Sequence, residues 1–149
     1  MMFSNENIVW QEVPGHVSLA FTISGCSLRC SGCHSAETWL NHVGQPLTPA
    51  YFQQRLELYR GLITCVAFMG GEWHESVLCE LLDLARSEGL HTCLYTGEED
   101  VSQAIKQRLT FLKTGPYCAD LGGLDSPTTN QRFVDLTNNQ LMNHRFLKR

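Results

Sequence analysis

Three cysteines stand close together near the start of the chain. Cys26, Cys30 and Cys33 are separated by three and then by two residues, and His34 follows the last of them. Cysteine thiolates are the usual ligands of iron–sulfur clusters, which normally take four of them. Three thiolates leave one iron of a four-iron cluster open to a further ligand. The spacing therefore predicts a cluster that binds a small molecule and does chemistry on it.

Other kinds of site would use the same segment. Cys30-Ser31-Gly32-Cys33-His34 matches the attachment signature of a c-type haem, which would leave Cys26 without a role. The three cysteines and His34 could form a closed zinc site, although adjacent Cys33 and His34 would be strained as joint ligands. A thioredoxin-like redox pair would need only Cys30 and Cys33. The open iron–sulfur cluster is the preferred interpretation, and these alternatives stay open.

The other four cysteines give a weaker signal. Cys65, Cys79 and Cys93 fall in apolar segments and are expected to be small core residues. Cys118 lies in an expected loop, and the sequence assigns it no role. Because no export signal is evident at the N-terminus, a reducing cytoplasm is expected, where clustered cysteines bind metals more often than they form disulfides.

Composition limits the classes of protein that the chain can belong to. Its 149 residues fit a single domain over 1–149, with 43% hydrophobic residues to form a core. A net charge of −4 argues against a nucleic-acid partner. No segment is long and apolar enough to predict a membrane helix, so no membrane association is expected.

The elements that must position the cysteines alternate along the chain. A strand over 17–23 leads directly into Ser24-Gly25 and the first cysteine. Thr48-Pro49 predicts the start of a helix that ends before Gly61. Three further strands are expected over 64–69, 92–96 and 110–114, with a helix between each pair. The first helix carries Val77, Leu81, Leu84 and Ala85, and the second carries Val101, Ala104, Ile105 and Leu109.

This alternation is typical of β-α-β units with right-handed crossovers, and it predicts an α/β fold with a mainly parallel sheet. Ligands of such sheets bind at the carboxyl ends of the strands. The cysteine segment, Gly70-Gly71-Glu72 and Thr96-Gly97 each follow a predicted strand. We therefore expect these three features to meet at one edge of the sheet.

The cysteine pattern after a strand resembles the radical S-adenosylmethionine (SAM) superfamily, and most of the chain is similar to the activating proteins of anaerobic ribonucleoside-triphosphate reductases. The matching motifs are Ser24-Gly25-Cys26, Cys30-Ser31-Gly32-Cys33-His34, Thr38-Trp39, Gly44-Gln45-Pro46-Leu47-Thr48, Met69-Gly70-Gly71-Glu72, Tyr95-Thr96-Gly97 and Thr129-Asn130-Gln131. The resemblance implies an incomplete β/α barrel. It also implies a [4Fe-4S] cluster on Cys26, Cys30 and Cys33, whose open iron binds the methionine moiety of SAM.

In this family the reduced cluster splits SAM, and the resulting radical takes hydrogen from a glycine of a separate protein. The resemblance thus implies the catalytic subunit of an anaerobic ribonucleotide reductase as partner, and an electron donor such as a flavodoxin or ferredoxin. It requires no catalytic side chains beyond the cluster ligands, because the cofactor supplies the chemistry. A formate-lyase type of partner is the alternative, and a zinc- or haem-binding module without catalysis is the alternative from another class.

Five residues outside the cysteine segment are expected to contact SAM. Gly70 and Gly71 would allow close backbone approach or merely form a turn, and Glu72 would accept from an ammonium group. Thr96 would reach a ribose hydroxyl or be structural. Lys113 would pair with the methionine carboxylate or be exposed.

The pattern departs from the superfamily at two positions. Gly32 stands where an aromatic residue often packs on the adenine, so Gly32, Cys33 and His34 are expected to contact the cofactor, with His34 a candidate to stack. Trp73 replaces a common proline after the glycine-rich motif. The polar segment 121–131 resembles the late loop of the family and is expected near the partner.

Overall fold

The computed structural model describes residues 1–25 and 44–147. The elements within them are β1 (Met2–Val9), β2 (Ser18–Ile23), β3 (Gln45–Pro46), α1 (Pro49–Leu58), β4 (Cys65–Met69), α2 (Glu75–Ser87), β5 (His91–Tyr95), α3 (Gln103–Lys106), β6 (Phe111–Thr114), β7 (Arg132–Asp135) and β8 (Gln140–Leu141). Short 3-10 turns span Glu72–His74 and Asn143–Arg145.

The strands in the described residues form one open sheet in the order β3-β1-β2-β4-β5-β6-β7-β8. The four central strands, β2, β4, β5 and β6, run parallel to one another. The flanking strands pair antiparallel on both sides. The prediction of an α/β fold is confirmed, but the prediction of a mainly parallel sheet holds only for the centre, because three of the described strand pairings are parallel and four are antiparallel. The sheet as a whole is mixed, and its described strands do not close into a barrel.

The predicted elements of the parallel centre are confirmed with small shifts of their ends. Helix α1 begins where Thr48-Pro49 predicted, and the Thr48 hydroxyl caps it by accepting from the Tyr51 amide at 3.1 Å. The predicted helix around Val101 to Leu109 is wrong in extent, because α3 has only four residues. Ile105 and Leu109 are nevertheless buried, so a single turn suffices to cover the sheet there.

The antiparallel strands were not predicted from the sequence. Strand β1 alternates weakly and carries Asn5, Glu6 and Asn7, which have low strand propensity. Strands β7 and β8 are four and two residues long. Such short or polar edge strands form because a neighbouring strand offers unpaired backbone groups, a signal that no local pattern carries.

The alternation of side chains divides the core between the two faces of the sheet. On one face, Phe21, Phe68 and Leu94 pack under α1 and α2. On the other face, Cys65 and Cys93 are fully buried beside Val13. The expectation that Cys65 and Cys93 are core residues is confirmed, and Cys79 is half-buried against the helical side.

The second face has no helical layer among the described residues. The loop 10–16 covers it, and the buried hydroxyl of Tyr95 donates to the Glu12 carbonyl. The C-terminal segment completes the cover, with the ring of Phe146 5.0 Å from that of Phe133. No described helix has the length and apolarity needed to span a membrane.

Candidate functional site

The carboxyl ends of the four parallel strands lie side by side at one edge of the sheet. Strand β2 ends before Ser24-Gly25, and β4 ends before the glycine pair Gly70-Gly71. Strand β5 ends before Thr96, and β6 ends before Gly115. The parallel register of these strands brings the four strand ends together, so Glu72 and Thr96 meet as expected, while the cysteine segment lies outside the described residues. We call it the carboxyl edge.

The predicted cluster ligands Cys26, Cys30 and Cys33 lie outside the described residues, as do Gly32 and His34. The structure fixes where their segment leaves the sheet and where it returns. It leaves from the end of β2 at Gly25, and it returns at Gly44 just before β3. Both glycines have a φ of 95°.

The glycine pair after β4 forms a tight turn into the 3-10 segment that precedes α2. Gly70 and Gly71 have φ values of 90° and 113°, a region that residues with side chains rarely adopt. A Cβ atom on Gly70 would lie 2.7 Å from the indole ring of Trp73. The turn and the packing of Trp73 therefore explain why Gly70 is a glycine, and close approach of a ligand here stays a prediction.

Glu72 is the first residue with a long side chain after this turn. Its Oε1 accepts a hydrogen bond from the Thr96 hydroxyl at 2.6 Å. Its Oε2 is buried and has no hydrogen-bond partner among the described residues. Burial raises the pKa of Glu72, against the opposing effect of the Thr96 hydroxyl. A buried carboxylate oxygen with no partner is costly, and a ligand that donates hydrogen bonds would remove that cost.

Thr96 uses both functions of its hydroxyl. It donates to Glu72, and it accepts from the Glu98 amide at 3.0 Å. Its side chain is 2% exposed. Of the two roles foreseen for Thr96, the structure shows the structural one, in which it orients Glu72. Contact with a ribose stays a prediction.

Lys113 lies inside the edge and not on its surface, with 8% of the residue exposed. Its Nζ donates to the Thr96 carbonyl at 3.1 Å and to the Gly115 carbonyl at 2.8 Å. The alternative that Lys113 is exposed is therefore wrong. The ammonium group ties the ends of β5 and β6 together and places a positive charge near Glu72, where it lowers the pKa of that carboxyl group.

The polar segment 121–131 lies against the same edge beside Gly115. A Cβ atom on Gly115 would lie 3.2 Å from the Asn130 carbonyl oxygen. The Asn130 amide nitrogen donates to the Pro116 carbonyl at 3.0 Å, which orients the side chain. Its Oδ1 is buried and without a partner among the described residues. The carboxyl edge thus holds a second buried acceptor.

Trp73 is a part of this edge that the sequence interpretation noted only as a departure from a family pattern. Its ring fills the space above Gly70, and its Nε1 is buried with no partner among the described residues. A tryptophan after two glycines is not by itself a signal of a site. Its position emerges only when the turn places the ring over the strand end.

Two comparisons place the chain among known proteins. Residues 13–121 match the family described as "4Fe-4S single cluster domain". The pyruvate formate-lyase-activating enzyme of Clostridium pasteurianum is 33% identical over 89 residues, which cover 56% of this chain and 37% of that protein. The pyruvate formate-lyase 1-activating enzyme of Escherichia coli strain K12 is 30% identical over 89 residues, covering 56% of this chain and 36% of that protein.

The chain spans little more than a third of the length of these curated relatives. The family match covers more of this chain than the two curated relatives do. It extends from the loop before β2 to the polar segment beyond β6. It includes the three closely spaced cysteines and every strand end of the carboxyl edge. The chain therefore belongs to the 4Fe-4S single cluster domain family.

Proposed function

We propose that this chain is a glycyl-radical activase of the radical SAM type. It holds one [4Fe-4S] cluster on Cys26, Cys30 and Cys33, cleaves SAM reductively, and generates a glycyl radical on an anaerobic ribonucleoside-triphosphate reductase. The architecture is that of an incomplete β/α barrel. The observation that carries the proposal is the buried Oε2 of Glu72, which has no hydrogen-bond partner among the described residues and lies at the edge from which the cysteine segment leaves.

The described residues fit a ligand with the polarity of SAM. SAM carries a cationic ammonium and sulfonium group, and its ammonium and ribose hydroxyls donate hydrogen bonds. The carboxyl edge holds a buried acceptor without a partner among the described residues, Glu72 Oε2. A charge-assisted hydrogen bond to an ammonium group would satisfy Glu72. The three thiolates supply the donor set that an iron–sulfur cluster requires.

Each residue of the edge has a defined task in this proposal. Glu72 accepts the ammonium group, and Thr96 holds the Glu72 carboxylate in place through Oε1. Lys113 fixes the strand ends through two carbonyls and provides a positive charge for a carboxylate ligand. Gly70 and Gly71 form the turn that carries Glu72. Gly32, Cys33 and His34 contact the adenosine part of the cofactor.

The cluster, when bound, supplies the one-electron reduction that cleaves SAM. A flavodoxin or ferredoxin provides that electron. The protein's own residues orient the cofactor, satisfy its polar groups and keep them from water. No acid–base pair is needed for these tasks, because the cofactor supplies the chemistry.

Two protein partners follow from different observations. The motifs from Ser24 to Thr48 resemble activating proteins of anaerobic ribonucleotide reductases, and they make that reductase the first candidate. The curated relatives act on pyruvate formate-lyase by their names, and they make a formate-lyase type of enzyme the second candidate. In both cases the substrate is a glycine in a protein backbone.

The test is an anaerobic assay with purified, iron-reconstituted protein. We expect broad visible absorption from the cluster, SAM cleavage on reduction, and a doublet electron-resonance signal from a glycyl radical on the reductase subunit. Each candidate partner is assayed separately, so that the signal identifies the target. A sharp haem band, or zinc as the bound metal, would contradict the cluster. Turnover of a free metabolite with no radical on either protein would contradict the activase.

A further inference from the structure

Trp73 carries a buried hydrogen-bond donor that has no partner among the described residues. Its Nε1 is one of five buried side-chain polar atoms of this kind. The other four are carboxylate, amide or hydroxyl oxygens, and each of these can accept a hydrogen bond. The indole N–H can only donate. It therefore marks a place where an added acceptor stabilises the protein.

The packing of Trp73 does not explain this N–H group. The six-membered ring of the indole fills the space above Gly70, where an added Cβ atom would lie 2.7 Å from Cη2. The side chain also packs against the helical side of the core. A phenylalanine ring can make both contacts without burying a polar group, and a buried donor without a partner is unfavourable. Packing therefore accounts for an aromatic ring at position 73 and leaves its N–H group unexplained.

Glu72 precedes Trp73 in the same 3-10 turn, Glu72–His74, and offers the complementary group. Its Oε1 is held by the Thr96 hydroxyl at 2.6 Å, and its Oε2 is buried without a partner among the described residues. An ionised carboxylate can only accept hydrogen bonds. The two neighbouring groups do not bond to each other. One turn at the carboxyl edge thus carries a buried acceptor and a buried donor side by side in the sequence.

The amino-acid end of SAM requires one group of each kind. Its α-ammonium group donates hydrogen bonds, and its α-carboxylate accepts them. The proposed function assigns the ammonium group to Glu72. Lys113 contributes a positive charge for the carboxylate, but its Nζ donates to the carbonyls of Thr96 and Gly115. The carboxylate therefore still requires a hydrogen-bond donor at this edge.

We infer that the indole N–H of Trp73 donates a hydrogen bond to the α-carboxylate of SAM, so that Trp73 selects ligands with a complete amino-acid end. The inference rests on the proposed function and deepens it, because it names the part of SAM that the turn recognises. The contact is not part of the family pattern, in which proline is common at this position. Proline has no N–H group to donate. The selection is therefore a property of this chain's own turn.

Equilibrium binding of two ligands to the iron-reconstituted protein tests the inference. The ligands are SAM and decarboxylated SAM, which keeps the ammonium, sulfonium and adenosine groups. The test variant is Trp73→Phe, which keeps an aromatic ring and removes the N–H group. Trp10→Phe is the matched control, because it makes the same change at a tryptophan that is 65% exposed. Any contact of the cluster with the carboxylate is common to all these proteins and cancels in the comparison.

We expect Trp73→Phe to weaken SAM binding by roughly tenfold or more, which is the size of a hydrogen bond to a charged group. Its affinity for decarboxylated SAM should stay within about twofold of wild type. Trp10→Phe should change neither affinity, and Glu72→Gln should weaken both ligands, because both carry the ammonium group. An equal loss of both ligands in Trp73→Phe would overturn the inference, because the N–H group would then serve the protein and not the carboxylate.

Trp73→His is the second variant, because an imidazole ring keeps an N–H donor. Circular dichroism and iron content show which variants are folded and hold iron. If Trp73→Phe does not fold, Trp73→His decides the question. A retained preference for SAM over decarboxylated SAM supports the inference, and loss of that preference overturns it. Unfolding of both variants also overturns it, because Trp73 would then be a general requirement of the fold.

The design separates this inference from the proposed function. A wild-type protein that takes up no iron, or that does not bind SAM, would reject the proposed function and the inference together. A wild-type protein that binds SAM, beside a Trp73→Phe variant that binds it equally well, would leave the proposed function standing and reject only the role of Trp73.

Discussion

The two ends of the parallel strands are built differently. At the amino edge, where β4, β5 and β6 begin, polar side chains find partners within the protein. The Thr92 hydroxyl donates to the Arg108 carbonyl at 2.6 Å and accepts from the Thr110 amide at 3.1 Å. The His16 ring nitrogen Nδ1 and the Thr64 hydroxyl are 2.9 Å apart. These three polar side chains are therefore satisfied by neighbouring strands and loops.

The carboxyl edge leaves polar atoms without partners. Among the described residues, five buried side-chain polar atoms have no hydrogen-bond partner, and four of them lie near the ends where the parallel strands finish: Ser4 Oγ, Glu72 Oε2, Trp73 Nε1 and Asn130 Oδ1. The fifth, Ser18 Oγ, is the one exception at the amino edge among the described residues, where β2 begins, and it lies near the Cys65 thiol, whose pKa it lowers. Unsatisfied buried groups are rare in stable proteins, and four of the five in the described residues lie at the edge where the proposed function places SAM.

The largest expected effect distinguishes two cysteines: Cys30 is a proposed cluster ligand, and Cys65 is a buried core residue. Cys30→Ala should abolish the catalytic cluster, because the proposed set of three thiolates leaves none to spare. Cys65→Ala, within a strand, should retain full iron content, since burial raises the pKa of that thiol to about 12 and keeps it protonated. Iron analysis and visible spectra after reconstitution measure both. A Cys30→Ala protein that still bound four irons and cleaved SAM would refute the ligand assignment.

The next effect concerns the unpartnered carboxylate. Glu72→Gln should weaken SAM binding by about 1.5–3 kcal/mol, or roughly 10- to 150-fold, because it removes a charge-assisted acceptor. Iron content should stay normal, since Glu72 is not a cluster ligand in this proposal. Glu98→Gln is the matched control, because Glu98 contributes its backbone amide to Thr96. Equilibrium binding of SAM to each reconstituted variant gives its affinity. Equal SAM affinities of Glu72→Gln and Glu98→Gln would show that Glu72 does not bind SAM and serves only the turn.

A smaller effect is expected at the polar segment. Asn130→Ala should lower the yield of glycyl radical on the partner more than it lowers SAM cleavage, because the segment 121–131 lies at the rim of the edge where a partner would dock. The exposed Asn138 in the turn between β7 and β8 provides the control substitution. Radical yield and cleaved SAM are measured in the same samples. A parallel fall in both quantities would assign Asn130 to cofactor binding instead.

The smallest expected effect is on the free energy of unfolding. Its dependence on pH should have opposite signs for a substitution at each of the two edges. Burial raises the pKa of Glu72 in the folded state, so its contribution to stability is present at low pH and is lost as pH rises through that pKa. Glu72→Gln should therefore gain stability relative to wild type as pH rises from about 4.5.

His16 at the amino edge should behave in the opposite way. Burial and then the neighbouring His91 lower the pKa of His16, although Asp135 opposes them. Its contribution is therefore present above about pH 6.5 and is lost as pH falls through the lowered pKa. His16→Gln should gain stability relative to wild type on acidification. Urea unfolding of the iron-free proteins across pH measures both differences, and differences of the same sign at both edges would contradict the comparison.

Much of the fold could be predicted from local patterns. The apolar runs before Gly25 and Gly70 predicted β2 and β4, and Thr48-Pro49 predicted the start of α1. These signals depend on neighbours in sequence, such as strand propensity, glycine turns and helix capping. The antiparallel strands could not be predicted, because they form through pairing with distant residues and have little pattern of their own.

The sequence alone determined which residues could bind a cluster and that they follow a strand, because the types and spacing of cysteines define a ligand set wherever the chain folds. Only the tertiary structure decided the surroundings of that set. Glu72 and Thr96 are 24 residues apart in sequence, and they meet because β4 and β5 pair in parallel. Gly44 looks like an ordinary loop glycine until β1 lies against it. Contacts between distant segments depend on strand register, and register is a property of the assembled sheet.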